Sequence, residues 1–183
     1  VRDIQVDDFR FLQSVVTQTP KVSIPSPTMV HFRGGRKSID IHAYPDMDLF
    51  FDDLVSCYKK EIDALYKAGC RYIQLDDTNL AYLCDPKMRA GARERGDDPD
   101  ELPKTYAQLI NRVIDGRPDD LTMAIHLCRG NYRSTWFAEG GYEPVAEILF
   151  SQINVDAYFL EYDDERSGDF APLRYVPENK IVV

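Results

Sequence analysis

Cysteine is scarce: four residues in 183 are too few for a disulfide framework. Free thiols in a reducing cytoplasm are therefore expected, and there a Cys beside a His points to metal binding or catalysis. Long hydrophobic runs are missing as well. None approaches the roughly 18 residues that a membrane helix needs. The start carries no charged-then-apolar leader segment, and no Asn-x-Ser/Thr acceptor occurs anywhere. Cations are the minority charge, with 22 Lys and Arg against 31 Asp and Glu, a net charge of −9. A field of that sign repels phosphate backbones and anionic bilayers. It argues against nucleic-acid and membrane partners and leaves small-molecule substrates. No Gly-rich phosphate fingerprint follows any apolar run, which counts against a nucleotide-binding doubly wound fold. Internal repeats and low-complexity segments are absent too.

What is present is a globular composition, 44% apolar and 29% charged, in a chain long enough for one domain with a real core. The whole of residues 1–183 is expected to form that single domain. Both of its ends look cut. The chain opens on Val1 without a Met and closes inside the apolar run Ile181-Val182-Val183. A larger domain, incomplete at both ends here, is the expectation.

Short β-like runs alternate with amphipathic stretches. Asp7 to Val16 reads as a helix, with Phe9, Leu12, Val15 and Val16 on one side. Lys21 to Ile24 reads as a strand stopped by Pro25 and Pro27. Arg33 to Lys37 is a basic turn in a long loop. Asp48 to Ala68 is the clearest helix, acidic in its first turn and stopped by Gly69. Arg71 to Leu75 is a strand ending in Asp76-Asp77, and Asp97 to Glu101 a solvated loop. Tyr106 to Ile114 is a helix, Leu121 to Leu127 a strand, and Arg129 to Gly141 a loop. Glu143 to Ile153 is a helix, Ala157 to Leu160 a strand, and Lys180 to Val183 the start of another. Five β runs separated by helices or long loops imply an α/β fold with a parallel sheet and right-handed crossovers. Periodicity alone fits a doubly wound sheet and a piece of a (β/α)8 barrel equally well. A complete barrel needs about 250 residues, more than this chain has.

Polar residues gather at the ends of the strands, where parallel α/β folds build their sites. Asp76 and Asp77 end one strand, His126-Leu127-Cys128 the next, and Glu161 the one after. His126 and Cys128, two apart on a strand, point to one face. Glu161 on a neighbouring strand about 4.8 Å away could reach the same point. Imidazole, thiolate and carboxylate together make a plausible zinc site, although His-x-Cys alone is equally read as a buried thiol beside a hydrogen-bonded His.

With Glu161 closing the run Asp156-Ala157-Tyr158-Phe159-Leu160, His126-Leu127-Cys128 resembles the catalytic domain of cobalamin-independent methionine synthase. Tyr72-Ile73-Gln74-Leu75-Asp76-Asp77 is similar to that family's Ile-Gln-Ile-Asp-Glu segment. Lys21 to Thr28 stands in the place of its Gly/Pro-containing strand end. His126-Leu127-Cys128-Arg129-Gly130-Asn131 is closer to the shorter, methionine synthase II-like relatives. The resemblance implies a (β/α)8 TIM-type barrel, only part of it in this chain. It implies Zn2+ held by His126, Cys128 and Glu161, and Asp76 receiving the amino group of homocysteine. The implied activity is methyl transfer to the homocysteine thiol, forming methionine, with a methyltetrahydrofolate as one donor. The family's fourth zinc ligand, a downstream Cys, lies beyond Val183. Asp77 in place of the usual Glu, and Arg129-Gly130-Asn131, leave the donor open.

Weaker candidates surround this set. Cys84 is a packing or loop thiol, with a fourth-ligand role as the lesser reading. Cys57 falls on an apolar helix face, and Cys70 at the wrong end of its strand. His31 and His42 are expected to be solvated. Arg33, Arg36 and Lys37 could meet an anionic tail or form a solvated turn. Trp136 and Phe137 could stack on a flat ligand or pack the loop onto the rim. The rival readings are a metal-free barrel of the porphyrinogen-decarboxylase type, and a catalytically incomplete fragment.

Overall fold

The computed structural model describes residues 3–162 and 164–183. After helix α1 (Val6–Val15) come β1 (Val22–Pro25), α2 (Met29–Phe32), α3 (Met47–Lys67) and β2 (Tyr72–Asp76). Next are α4 (Asn79–Tyr82), α5 (Pro86–Glu94), α6 (Leu102–Ile114) and β3 (Thr122–Leu127). The pair β4 (Asn131–Tyr132) and β5 (Thr135–Trp136) precedes α7 (Ala146–Gln152), β6 (Ala157–Leu160) and β7 (Ile181–Val182). Five strands form one parallel sheet in the order β1-β2-β3-β6-β7. Each strand lies beside its sequence predecessor in that sheet, so every crossover steps the same way. A doubly wound sheet reverses direction at a switch point, and this one does not. The order is that of an arc of a (β/α)8 barrel, the architecture expected above, with five of its strands present.

Local chemistry explains the elements. The Asp46 side chain caps α3 by accepting from Asp48 N at 3.0 Å. Phe51, Val55, Ile62 and Leu65 line the buried side of α3. Gly69, at φ +105°, lets the chain leave the helix. Helix α5 occupies a polar stretch that hides it from a periodicity reading, and α4, four residues long, is too short to show a period. The Asp85-Pro86 pair was the available signal: Asp85 Oδ1 accepts from Lys87 N at 2.7 Å, and Pro86 takes the first helical position.

The sheet has two unlike faces. Val22, Ile24, Ile73, Leu75, Met123, Ile125, Leu127 and Tyr158 are buried and belong to one apolar core with Leu65, Ile110, Val113, Leu149 and Phe150 of the long helices. The alternate positions Ser23, Pro25, Tyr72, Asp76, Thr122, His126 and Phe159 are exposed or half-buried. Pleating thus puts the chemistry-bearing side chains opposite the helix layer.

The turn that presents Asp76 is fixed by its neighbour. Asp77 is fully buried. Its Oδ2 accepts from Thr28 Oγ1 at 2.6 Å, and its Oδ1 accepts from the N–H groups of Asn79 and Leu80 at 3.0 and 3.1 Å. Burial pushes its carboxyl up, with the Thr28 and Ser26 hydroxyls and the two N–H groups opposing. Asp77 is therefore a brace between the ends of β1 and β2. Replacing Asp77 by Ala leaves several buried donors unpaired and should cost about 3 kcal/mol, read as a lower urea midpoint at unchanged m-value.

Candidate active site at the strand ends

One row of paired residues crosses the sheet near its C-terminal edge. Pro25 pairs with Asp76, Asp76 with His126, and His126 with Phe159. Two residues further along β3 and β6 come Cys128 and Glu161. Asp76 and His126 meet, with Oδ1 3.3 Å from Nδ1. Gln74, two residues back on the same face, donates from Nε2 to Asp76 Oδ1 at 2.7 Å. Lys21 Nζ donates to Gln74 Oε1 at 3.0 Å and lies 4.5 Å from the Phe159 ring centroid. This polar relay orients the Asp76 carboxylate while leaving its side chain 42% exposed.

His126 and Cys128 lie close enough to shift each other's pKa. The Cys128 thiol is the largest influence raising the His126 pKa, with Asp76 adding to it against burial. The His126 imidazole is the largest influence holding the Cys128 pKa below the ordinary thiol value, assisted by the Gly130 N–H and opposed by burial and by Glu161. Gly130 must be glycine at φ +72°, because a Cβ there would sit 2.5 Å from the Tyr82 hydroxyl.

Glu161 stands beside this pair but is engaged by arginines. Its Oε2 accepts from Arg129 N at 2.7 Å, and its Oε1 accepts from Arg166 Nη2. Burial pushes its carboxyl up, but these donors and the two positive charges outweigh burial and hold it below the usual carboxylate value. Among the described residues, no three His, Cys, Asp or Glu side chains gather closely enough to hold a metal ion.

Arg129 is 0% exposed. It donates from Nε to Gly140 O at 2.7 Å, from Nη1 to Glu161 O at 2.9 Å and from Nη2 to Ser167 O at 3.1 Å. Tyr142 lies under it, 4.2 Å from ring centroid to guanidinium carbon. The Tyr142 hydroxyl donates to Leu127 O and accepts from Glu161 N at 3.0 Å. Arg129 and Tyr142 thereby stitch the ends of β3 and β6 together. Sequence reasoning missed both arginines. Arg129 follows Cys128 directly, but nothing in the sequence marks it as buried, and the partners of Arg166 are set by folding.

Other expectations are corrected. His31 is buried, not solvated. Its Nδ1 lies 2.9 Å from the Tyr106 hydroxyl, and burial lowers its pKa. Asp97, expected in a solvated loop, has its side chain 13% exposed and faces His31 Nε2 at 4.0 Å. The segment after Cys128 is not plain loop but carries the β4–β5 hairpin. His42 is exposed as expected. Cys84 is a packing thiol: it is buried, burial pushes it up to about 12, and its Sγ contacts Leu80 O at 3.6 Å. Phe137 packs on Tyr82, with ring centroids 5.0 Å apart. A cavity of about 400 Å3 beside this loop is lined by Phe32, Arg33, Tyr82, Arg95 and Tyr132 among others. Arg36 serves structure, donating to Tyr44 O at 2.6 Å.

No family model matches the chain. It is 48% identical over 177 residues to YxjH of Bacillus subtilis (strain 168), covering 96% of this chain and 46% of that protein. A methionine synthase of Pyrococcus abyssi is 33% identical over 126 residues, 69% of this chain and 29% of that one. A solved structure from Listeria monocytogenes, assigned as a vitamin-B12-independent methionine synthase, superposes with a TM-score of 0.79 at 40% identity. That match takes in 100% of this chain and 51% of the other. The chain thus spans about half the length of YxjH and of the Listeria protein. No described helix is long and apolar enough to cross a membrane.

Two outcomes are expected. In chelator-treated protein, mass spectrometry should find Cys128 alkylated by iodoacetamide at a pH below the ordinary thiol range. His126→Gln should move that profile upward, since it removes the largest influence favouring the thiolate. Arg129→Met should lower stability by about 3 kcal/mol, because three carbonyls lose a buried donor and the Glu161 carboxylate loses a cation 3.6 Å away; thermal unfolding reads this directly.

Proposed function

This chain belongs to the cobalamin-independent methionine synthase family, and from that premise we propose that it carries part of the active site of a methyltransferase making methionine from homocysteine. The observation that carries the reading is His126 at the mouth, 3.3 Å from Asp76, with Cys128 two residues beyond it and Glu161 two residues beyond its ladder partner Phe159.

The donor set suits zinc in kind. Imidazole nitrogen, thiolate sulfur and carboxylate oxygen are its usual ligands, and the two anions would balance a dication. His126, Cys128 and Glu161 would hold the ion, Glu161 once it turns from Arg166, since the three do not gather as they stand. When bound, Zn2+ lowers the pKa of a thiol so that its sulfur is available as the thiolate, the nucleophile in methyl transfer. The remaining work falls to the chain's own residues. The lowered pKa of Cys128 favours the thiolate, the form a metal ligand must take. Asp76, held by Gln74 and half open to solvent, can accept an ammonium group and so orient an amino acid with its sulfur toward His126 and Cys128. Tyr142 and Arg129 keep the tips of β3 and β6 in register while substrate enters.

The test is elemental analysis and a methyl-transfer assay on the full-length protein. About one zinc per chain is expected, with loss to background in Cys128→Ser and His126→Ala. Asp76→Asn should retain zinc and raise the homocysteine KM more than it lowers kcat. A full-length protein without zinc, or one whose zinc survives Cys128→Ser, would refute the assignment.

A further inference from the structure

Arg166 has an unusual setting. Its side chain is 2% exposed. One nitrogen, Nη2, donates to Glu161 Oε1. Its Nε is buried, has no hydrogen-bond partner among the described residues, and lies 3.8 Å from Asp164 Oδ2. Asp164 is anchored from the other side, its Oδ1 accepting from Arg166 N at 3.1 Å and from Ser167 Oγ at 3.3 Å. The guanidinium also lies 5.3 Å from the ring centroid of Trp136, the chain's one tryptophan. A single buried cation therefore stands between two carboxylates, bonded to one and just short of the other.

With Oε1 bonded to Arg166 and Oε2 to Arg129 N, a divalent cation brought to Glu161 would stand against the Arg166 guanidinium, like charge to like charge. We propose that Arg166 is a positioning residue that competes with the metal for Glu161, its guanidinium passing to Asp164 when Glu161 turns toward His126 and Cys128. This rests on the metal-site reading above. The exchange conserves charge pairing. Glu161 trades one cation for another, and Arg166 trades Glu161 for Asp164, so no buried charge is left alone at either end. Arg129 has no need to move. Its guanidinium is held by three carbonyls and the Tyr142 hydroxyl, with Nη1 3.6 Å from Glu161 Oε2, and its backbone N–H keeps Oε2 as a pivot. Arg166 thereby sets how tightly the site holds metal, and the Trp136 ring against it senses which carboxylate it occupies.

Zinc titration of the full-length protein against a chromophoric chelator tests this, with Trp136 fluorescence read in parallel. Arg166→Met should bind zinc about tenfold more tightly than wild type, the scale of one charge-assisted hydrogen bond no longer broken. Asp164→Asn, at a side chain 34% exposed, should bind it more weakly. In wild type the Trp136 emission should change with the midpoint of zinc uptake, and in Arg166→Met it should not. In a Glu161→Gln background, Arg166→Met should no longer tighten binding. Should Arg166→Met fail to fold, Asp164→Asn and the Trp136 signal decide. Cys128-dependent zinc binding that Arg166→Met leaves unchanged, with a silent Trp136, would overturn the exchange and spare the metal site. Tightening that persists without Glu161 would reduce the effect to a general field and also overturn it. No zinc uptake, or uptake indifferent to Cys128→Ser, would remove the metal site and this inference together.

Discussion

The parallel ladder's register governs everything at the mouth. Pro25, Asp76, His126 and Phe159 share one row only because Ile73 is opposite Met123, and Leu75 opposite Ile125, one step earlier. A slip of one residue would turn His126 and Cys128 into the helix layer and Leu127 out of it. Ile73, Leu75, Ile125 and Leu127, all 0% exposed, make that slip prohibitive. The orientation of the polar set is thus decided by apolar side chains on the other face of the sheet.

Charge supplies the second constraint. The chain is acidic as a whole, yet the tips of β3 and β6 are organised around two buried guanidinium groups. Neighbouring carboxylates take different roles according to what reaches them. Asp77 is buried and spent on hydroxyl and amide donors. Asp76, one residue earlier and on the opposite face, keeps solvent access and meets an imidazole. Glu161 is held by arginines rather than left free. Three carboxylates within a few strand ends are thereby a brace, a receptor and a held ligand.

Much of this was legible in the sequence, and the reasons are local. Gly and Pro punctuation located the strand ends, and the spacing of two between His126 and Cys128 put both on one face. Helix α3 announced itself through its acidic first turn, apolar stripe and Gly69. Strand order is not encoded in periodicity, so a doubly wound sheet and a barrel arc could not be separated until the ladders were seen. His31 was misread because its partners, Tyr106 and Asp97, arrive from distant segments. Arg166 was invisible for a related reason: an arginine beside Asp164 and Glu165 looks like surface charge until the hairpin covers it. Cys84 was rightly weighted toward packing, since the turn of α4 carries it inward.

A sheet whose strands pair in the order they are made can grow at its flanks. Among the described residues β1 and β7 each have a strand on one side only. Another strand could join either flank without breaking any of the four ladders already formed. Asp76, His126, Cys128 and Glu161 belong to the three interior strands and their tips. Of the two flanks, β1 is tied to the site, through the Pro25–Asp76 pairing, the Thr28–Asp77 bond and the Lys21–Gln74 bond. Strand β7 pairs with Ala157 and Tyr158, which precede Phe159 and Glu161. A change confined to the β7 flank therefore leaves the alignment of the polar row intact.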